Sequence, residues 1–129
     1  MEITFDGGKV VSAHIRGHVI RTDQAVEDGG ENSAPSPYEL FLASIGTCAG
    51  INVKSFCDQR EIPTDNITLI QHADYDNQTG LPTKFKIEIQ LPYDFPDKYK
   101  DAVINAAQYC KVKKTIASQP VFEVTTTLK

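Results

Sequence analysis

The sequence predicts an α+β domain, ordered as a β-meander, a buried central helix, a β-hairpin, a second helix and a closing strand. Short apolar runs split by glycine-rich turns occupy the start of the chain, and a capped, almost wholly apolar stretch follows from Pro37. No strand–helix alternation appears afterwards, which excludes a doubly wound parallel sheet. At 129 residues the chain is expected to form one domain over 1–129.

Ile3-Thr4-Phe5 and Val10-Val11-Ser12-Ala13-His14-Ile15 flank Asp6-Gly7-Gly8, a hairpin signal because glycine takes positive φ without steric cost. Gly17 marks a second turn, and His18 to Thr22 reads as a third strand. From Asp23 to Ala34 the chain is polar, acidic and aperiodic, hence a loop. Ser36 can cap a helix and Pro37 suits its first position, while Glu39, three residues past the cap, completes a capping box. The helix is expected to reach about Gln59, with Pro63 closing it. Its first half, from Leu40 to Ile51, is apolar nearly all round, which predicts burial on every side; its second half turns polar. Gly46 and Gly50 cost about 1 kcal/mol each against alanine inside a helix. A close neighbour is therefore expected there, either the sheet or the same helix of a second subunit.

Ile67 to Tyr75 and Phe85 to Leu91 read as a hairpin turned at Asn77-Gln78-Thr79-Gly80. In its second strand Phe85, Ile87, Ile89 and Leu91 alternate with polar residues, so one face is wet. Phe95-Pro96-Asp97 opens a second helix, whose stripe Tyr99, Ala102, Val103 and Ala106 ends on Cys110. Residues 110–116 continue as a short helix or kinked extension, Pro120 breaks it, and Val121 to Leu128 is expected to close the chain as a strand.

Composition narrows the function. A net charge of −4 argues against a nucleic-acid partner, which needs a basic surface. The N-terminus lacks a basic segment followed by an apolar one, and Leu40 to Ile51 is short of a bilayer span, so no membrane association and a cytoplasmic location are expected. No glycine-rich phosphate loop or serine nucleophile elbow is present, and no cofactor is expected. The three cysteines, Cys48, Cys57 and Cys110, form no CxxC or CxxH pair, which leaves a metal site without support. In a reducing compartment they are free thiols, either core filler or chemistry.

Cys57, on the polar half of its helix, reads as core filler. Cys48 and Cys110 both sit on apolar helix faces, so their thiols could meet. Lys111, Lys113 and Lys114 follow Cys110, and positive charge favours the nucleophilic thiolate. Cys48 lies too deep in its own helix for that helix's N-terminus to act on it, and would need an arginine or polar network from elsewhere. Arg16 and Arg21 are candidates, and equally ordinary exposed strand residues. Glu39 is a candidate polar partner, and equally a helix cap.

Gly29-Gly30-Glu31-Asn32, Pro35-Ser36-Pro37-Tyr38-Glu39-Leu40 running into Gly46-Thr47-Cys48, and Tyr109-Cys110-Lys111-Val112-Lys113-Lys114-Thr115 together resemble the OsmC/Ohr family, the osmotically inducible and organic hydroperoxide resistance proteins. The resemblance spans essentially the whole chain in element order. It implies an intertwined homodimer, with the sheets of both subunits around the paired central helices and active sites at the interface. It also implies that Cys48 attacks a small organic hydroperoxide and becomes a sulfenic acid, that Cys110 condenses with it to a disulfide, and that an external dithiol reduces the bond. Glu39 is carried over as a catalytic candidate with one departure. Peroxidase members place the glutamate directly after the helix-opening proline, where this chain has Tyr38, and one residue rotates a helical side chain by about 100°. The sequence is closer to a less characterised branch of the family.

Three readings therefore compete: a thiol peroxidase, a stress-associated or hydrophobic small-molecule-binding protein with little turnover, and a different thiol enzyme. The first is the expectation.

Overall fold

The computed structural model describes all residues, 1–129, and divides into two compact units, Met1–Ser44 and Ile45–Lys129, with the boundary inside the long helix. In the first unit β1 (Glu2–Phe5), β2 (Val11–Ile15) and β3 (His18–Thr22) form an antiparallel meander, with Glu2 opposite His14 and Val11 opposite Thr22. The β1–β2 turn uses positive φ at Gly7 and Gly8, 96° and 55°. The β2–β3 turn is the two-residue Arg16-Gly17, both again at positive φ, a geometry whose twist matches the strands it joins.

The loop after β3 is organised by one carboxylate. Asp23, only 1% exposed, accepts from the Gln24 amide at 2.7 Å, the Ser33 amide at 3.0 Å, the Ser33 hydroxyl at 2.6 Å and the Glu31 amide at 3.3 Å. These donors stabilise the charged form, and the Ser33 hydroxyl leads in lowering the Asp23 pKa to about 2. Gly30 closes the same loop against Gln24, whose carbonyl oxygen would lie 2.1 Å from an added Cβ.

α1 (Pro37–Asp58) starts on the reciprocal cap expected of Ser36 and Glu39: the Ser36 amide donates to Glu39 at 2.9 Å, and the Glu39 amide to the Ser36 hydroxyl at 3.2 Å. By length and composition α1 is long and apolar enough to cross a membrane, a test that the core helix of a globular protein also passes.

In the second unit β4 (Thr68–Tyr75) and β5 (Pro82–Gln90) pair as an antiparallel hairpin. Asp76 organises its turn by accepting from the Gln78 and Thr79 amides. A single 3-10 turn over Asp97–Tyr99 leads into α2 (Lys100–Gln108), and α3 (Lys111–Ala117) follows as a separate helix. The core gathers Val53, Phe56 and Cys57 of α1 with Phe95 and Val103, bordered by Leu69 and Ile89 of the hairpin. Burial of such apolar side chains stabilises by about 1.5–3 kcal/mol each.

Two expectations are corrected. No closing strand forms: residues 121–129 are irregular, and Phe122 and Val124 are exposed. A strand needs a partner edge for its backbone N–H and C=O groups, and here the segment pairs with none. Nor is the apolar half of α1 covered on all sides, since Phe41 and Ile51 are exposed. The close neighbour expected at the glycines is present only at Gly46, where an added Cβ would meet the Gln71 side-chain oxygen of β4 at 2.6 Å. Gly50 faces open space.

Asp23 is expected to make the loop acid-sensitive. Its folded pKa lies below the unfolded value, so its contribution is present above about pH 4 and is lost as pH falls through about 2. Amide exchange at Gln24, Glu31 and Ser33 should quicken across that window, and Asp23→Asn should remove the dependence. Gly30→Ala should cost about 3 kcal/mol in denaturant unfolding, because the obstructing atom is backbone.

Candidate active site

From Ile45 onward α1 divides its faces. Val53, Phe56 and Cys57 turn into the core, whereas Cys48 and Asn52, one turn apart, share a different stripe. Cys48 is half-buried. Facing it is the joint between α2 and α3. α2 ends as Tyr109 leaves helical geometry (φ −79°, ψ 62°), and Cys110 takes an extended conformation as the N-cap of α3. The Cys110 sulfur, in a residue 3% exposed, accepts from the Lys113 amide at 3.3 Å. The side-chain amide of Asn52 donates to the Tyr109 carbonyl and ties this joint to α1.

The fold thus brings Cys48 and Cys110 together, with the Cys110 thiol within hydrogen-bonding reach of the Cys48 sulfur. The Val112 N–H, then the Cys110 thiol and, more weakly, the Lys111 N–H hold the Cys48 thiol below its ordinary range; burial opposes them. Cys48 was expected to need an arginine or polar network, and what it meets is main chain from the first turn of α3. No sequence pattern announces such donors, because every residue except proline carries an N–H. Cys57 differs: burial, then the Asp58 carboxylate, push its thiol up, against weaker pulls from Lys54 and Arg60. It is fully buried in the core.

Cys110, but not Cys48, lines a cavity of about 750 Å³, within the usual range for small-molecule sites. Ile45 and Ala49 of α1, Phe85, Ile87 and Ile89 of β5, and Ile104 of α2 supply apolar wall. Its polar groups are Cys110, Gln108, Lys100 and Lys113, and no acidic side chain lines it. The Lys100 ammonium is paired with Asp97 at 2.8 Å.

Glu39 is occupied as a cap. Its carboxyl is held below the ordinary range by the Ser36 backbone N–H and then the Ser36 hydroxyl. Arg16 occupies the β2–β3 turn, and the Arg21 guanidinium donates to the Ser33 hydroxyl at 3.3 Å. No cluster of three or more His, Cys, Asp or Glu side chains is placed to hold a metal ion. Asn52 is the functional candidate missed in the sequence. Its signal was available, since asparagine is a poor helix-interior residue and stands between apolar neighbours.

The sequence profile of the family described as OsmC-like protein matches residues 30–125. No curated protein is detectably similar in sequence. Among solved structures, a Psychrobacter arcticus 273-4 protein provisionally assigned to the osmotic stress and detoxification response superposes with a TM-score of 0.72 at 23% identity, over 88% of this chain and 85% of that one. A hypothetical protein from Aquifex aeolicus VF5 superposes with a TM-score of 0.63 at 16% identity, over 92% of this chain and 86% of that one. Both likenesses concern the fold. The family match, covering most of the chain, settles membership: this protein belongs to the OsmC-like family.

Proposed function

We propose that the protein is a cytoplasmic, homodimeric thiol peroxidase that reduces organic hydroperoxides through Cys48 and Cys110, with an external dithiol as reductant. The observation that carries this reading is the contact between two sulfurs distant in sequence, one of them collecting N–H donors that favour its thiolate. Cys110 adds a second argument. It fills an N-cap position, where Ser, Thr, Asp or Asn is strongly preferred, so capping alone does not explain a sulfur there. The apolar cavity alongside suits an alkyl or aryl hydroperoxide better than hydrogen peroxide.

The chemistry balances in three steps. The Cys48 thiolate attacks the terminal peroxide oxygen, the O–O bond breaks, and the departing alkoxide takes a proton to become an alcohol. Cys48 is left as a sulfenic acid, oxidised by two electrons. The Cys110 sulfur then displaces hydroxide from the Cys48 sulfur, which leaves as water and closes the disulfide. Thiol–disulfide exchange with the dithiol restores both thiols and passes the oxidation to the reductant. On this reading Glu39 acts through α1, as its cap.

The homodimer is supported by what a single chain leaves open. Ile51, the open space at Gly50, and the unpaired segment ending at Leu128 are the apolar and backbone surfaces that a second copy would cover.

The cavity also favours a second reading, a hydrophobic small-molecule binder with little turnover. The two part on one measurement. A slight excess of cumene hydroperoxide should remove about 2 Da per chain as the 48–110 disulfide forms, and Cys48→Ser should abolish hydroperoxide consumption. An unchanged mass and thiol titre would sink the peroxidase.

Alkylation of Cys48 against pH should show a midpoint lower than that of an ordinary cysteine thiol measured in parallel. Cys110→Ala should raise that midpoint, because it removes a donor to the thiolate. Light scattering should return twice the chain mass.

A further inference from the structure

We infer that Asn52 is a positioning residue for disulfide closure, holding Cys110 at the Cys48 sulfur through the Tyr109 carbonyl; this rests on the peroxidase reading above. Asn52 follows Cys48 by four residues on α1, so the two side chains leave the helix on one face, one above the other. Its amide donates to the carbonyl of Tyr109, the residue immediately before Cys110. A single helical turn therefore carries both the attacking sulfur and the group that fixes the backbone of its partner.

The joint needs such a fixture. Tyr109 has left helical geometry and Cys110 is extended; the Cys110 N–H donates to the Gln108 carbonyl at 2.9 Å and its carbonyl accepts from the Lys114 N–H at 3.0 Å, bonds that tie residue 110 to α2 and α3 but not to α1. With α2 ended, the Tyr109 carbonyl requires a donor, and Asn52 supplies one. The cap bond from the Lys113 amide fixes Cys110 to α3, and the Asn52 bond fixes the joint to α1. Hydrogen bonds of this kind hold two groups near attack geometry, where small displacements cost large factors in rate.

The step affected is the second. A Cys48 sulfenic acid either condenses with the Cys110 thiol, expelling water, or meets another hydroperoxide and becomes a sulfinic acid while an alcohol is released. Asn52 bonds the Tyr109 carbonyl and does not line the cavity, so its role is read in the ratio of these two outcomes once Cys48 is oxidised.

The experiment is intact-mass spectrometry of the full chain over a cumene hydroperoxide series, with the first step followed separately by loss of the Cys48 thiol. Asn52→Leu is expected to lower the hydroperoxide concentration that half-converts Cys48 to sulfinic acid by about 10-fold when variant and wild type are compared at equal extent of Cys48 oxidation, so that any change in the first step is separated from the closure ratio. Asn52→Asp, which sets a carboxylate against the Tyr109 carbonyl, should lower it at least as far, and being isosteric it reports even if the leucine variant does not fold. Disulfide closure at the wild-type ratio in these variants overturns the positioning role and leaves the peroxidase reading standing. A wild-type chain that never forms the 48–110 bond overturns both.

Discussion

The constraint on which the site depends is the seating of the α2–α3 joint against the middle of α1. A long apolar helix could end its partner anywhere along its length. Here α2 stops at Gln108, two residues form the joint, and α3 begins with its first turn directed at the Cys48 sulfur. Cys110 serves several purposes there at once. It caps α3, places its thiol beside Cys48, and contributes to the cavity wall. Moving the joint by a residue would dissolve all three arrangements together, because each depends on the same backbone conformation.

That arrangement also explains how a cysteine in the middle of a helix is activated without an adjacent cation. The N-terminus of α1 is too remote, since the field of a helix end fades within a turn. Main-chain N–H groups from a second helix replace it. Their orientation is set by the backbone, so no side-chain entropy is lost in aiming them. Glu39 and Ser36, occupied with each other, define where α1 begins.

Among the surfaces that the chain leaves uncovered are two that the proposed dimer would cover. Ile51 and Gly50 lie on α1, within a few residues of Cys48, and the segment after Pro120 has strand composition without a strand's hydrogen bonds. Taken with the proposed dimer, the redox pair and the subunit contact would share the same length of α1. Assembly and chemistry would then be coupled through one helix.

Local patterns made much of the fold legible from sequence. The capping box, the Gly7-Gly8 turn and the alternation from Phe85 to Leu91 are short-range signals, and these elements appear within a few residues of their expected places. Alternation in the last nine residues misled, because strand propensity records how a segment would pair and not whether an edge is available. The sequence also identified the two cysteines worth watching, through their apolar faces and family motifs. It did not reveal the donors to the Cys48 sulfur or the Asn52 bond to Tyr109, since main-chain amides carry no sequence signature and the partners are remote in the chain. What the sequence determined by itself was which segments curl or extend and which residues could do thiol chemistry. Only the tertiary structure decided that Cys48 and Cys110 meet and that Cys57 does not join them, because proximity between distant residues is a property of packing.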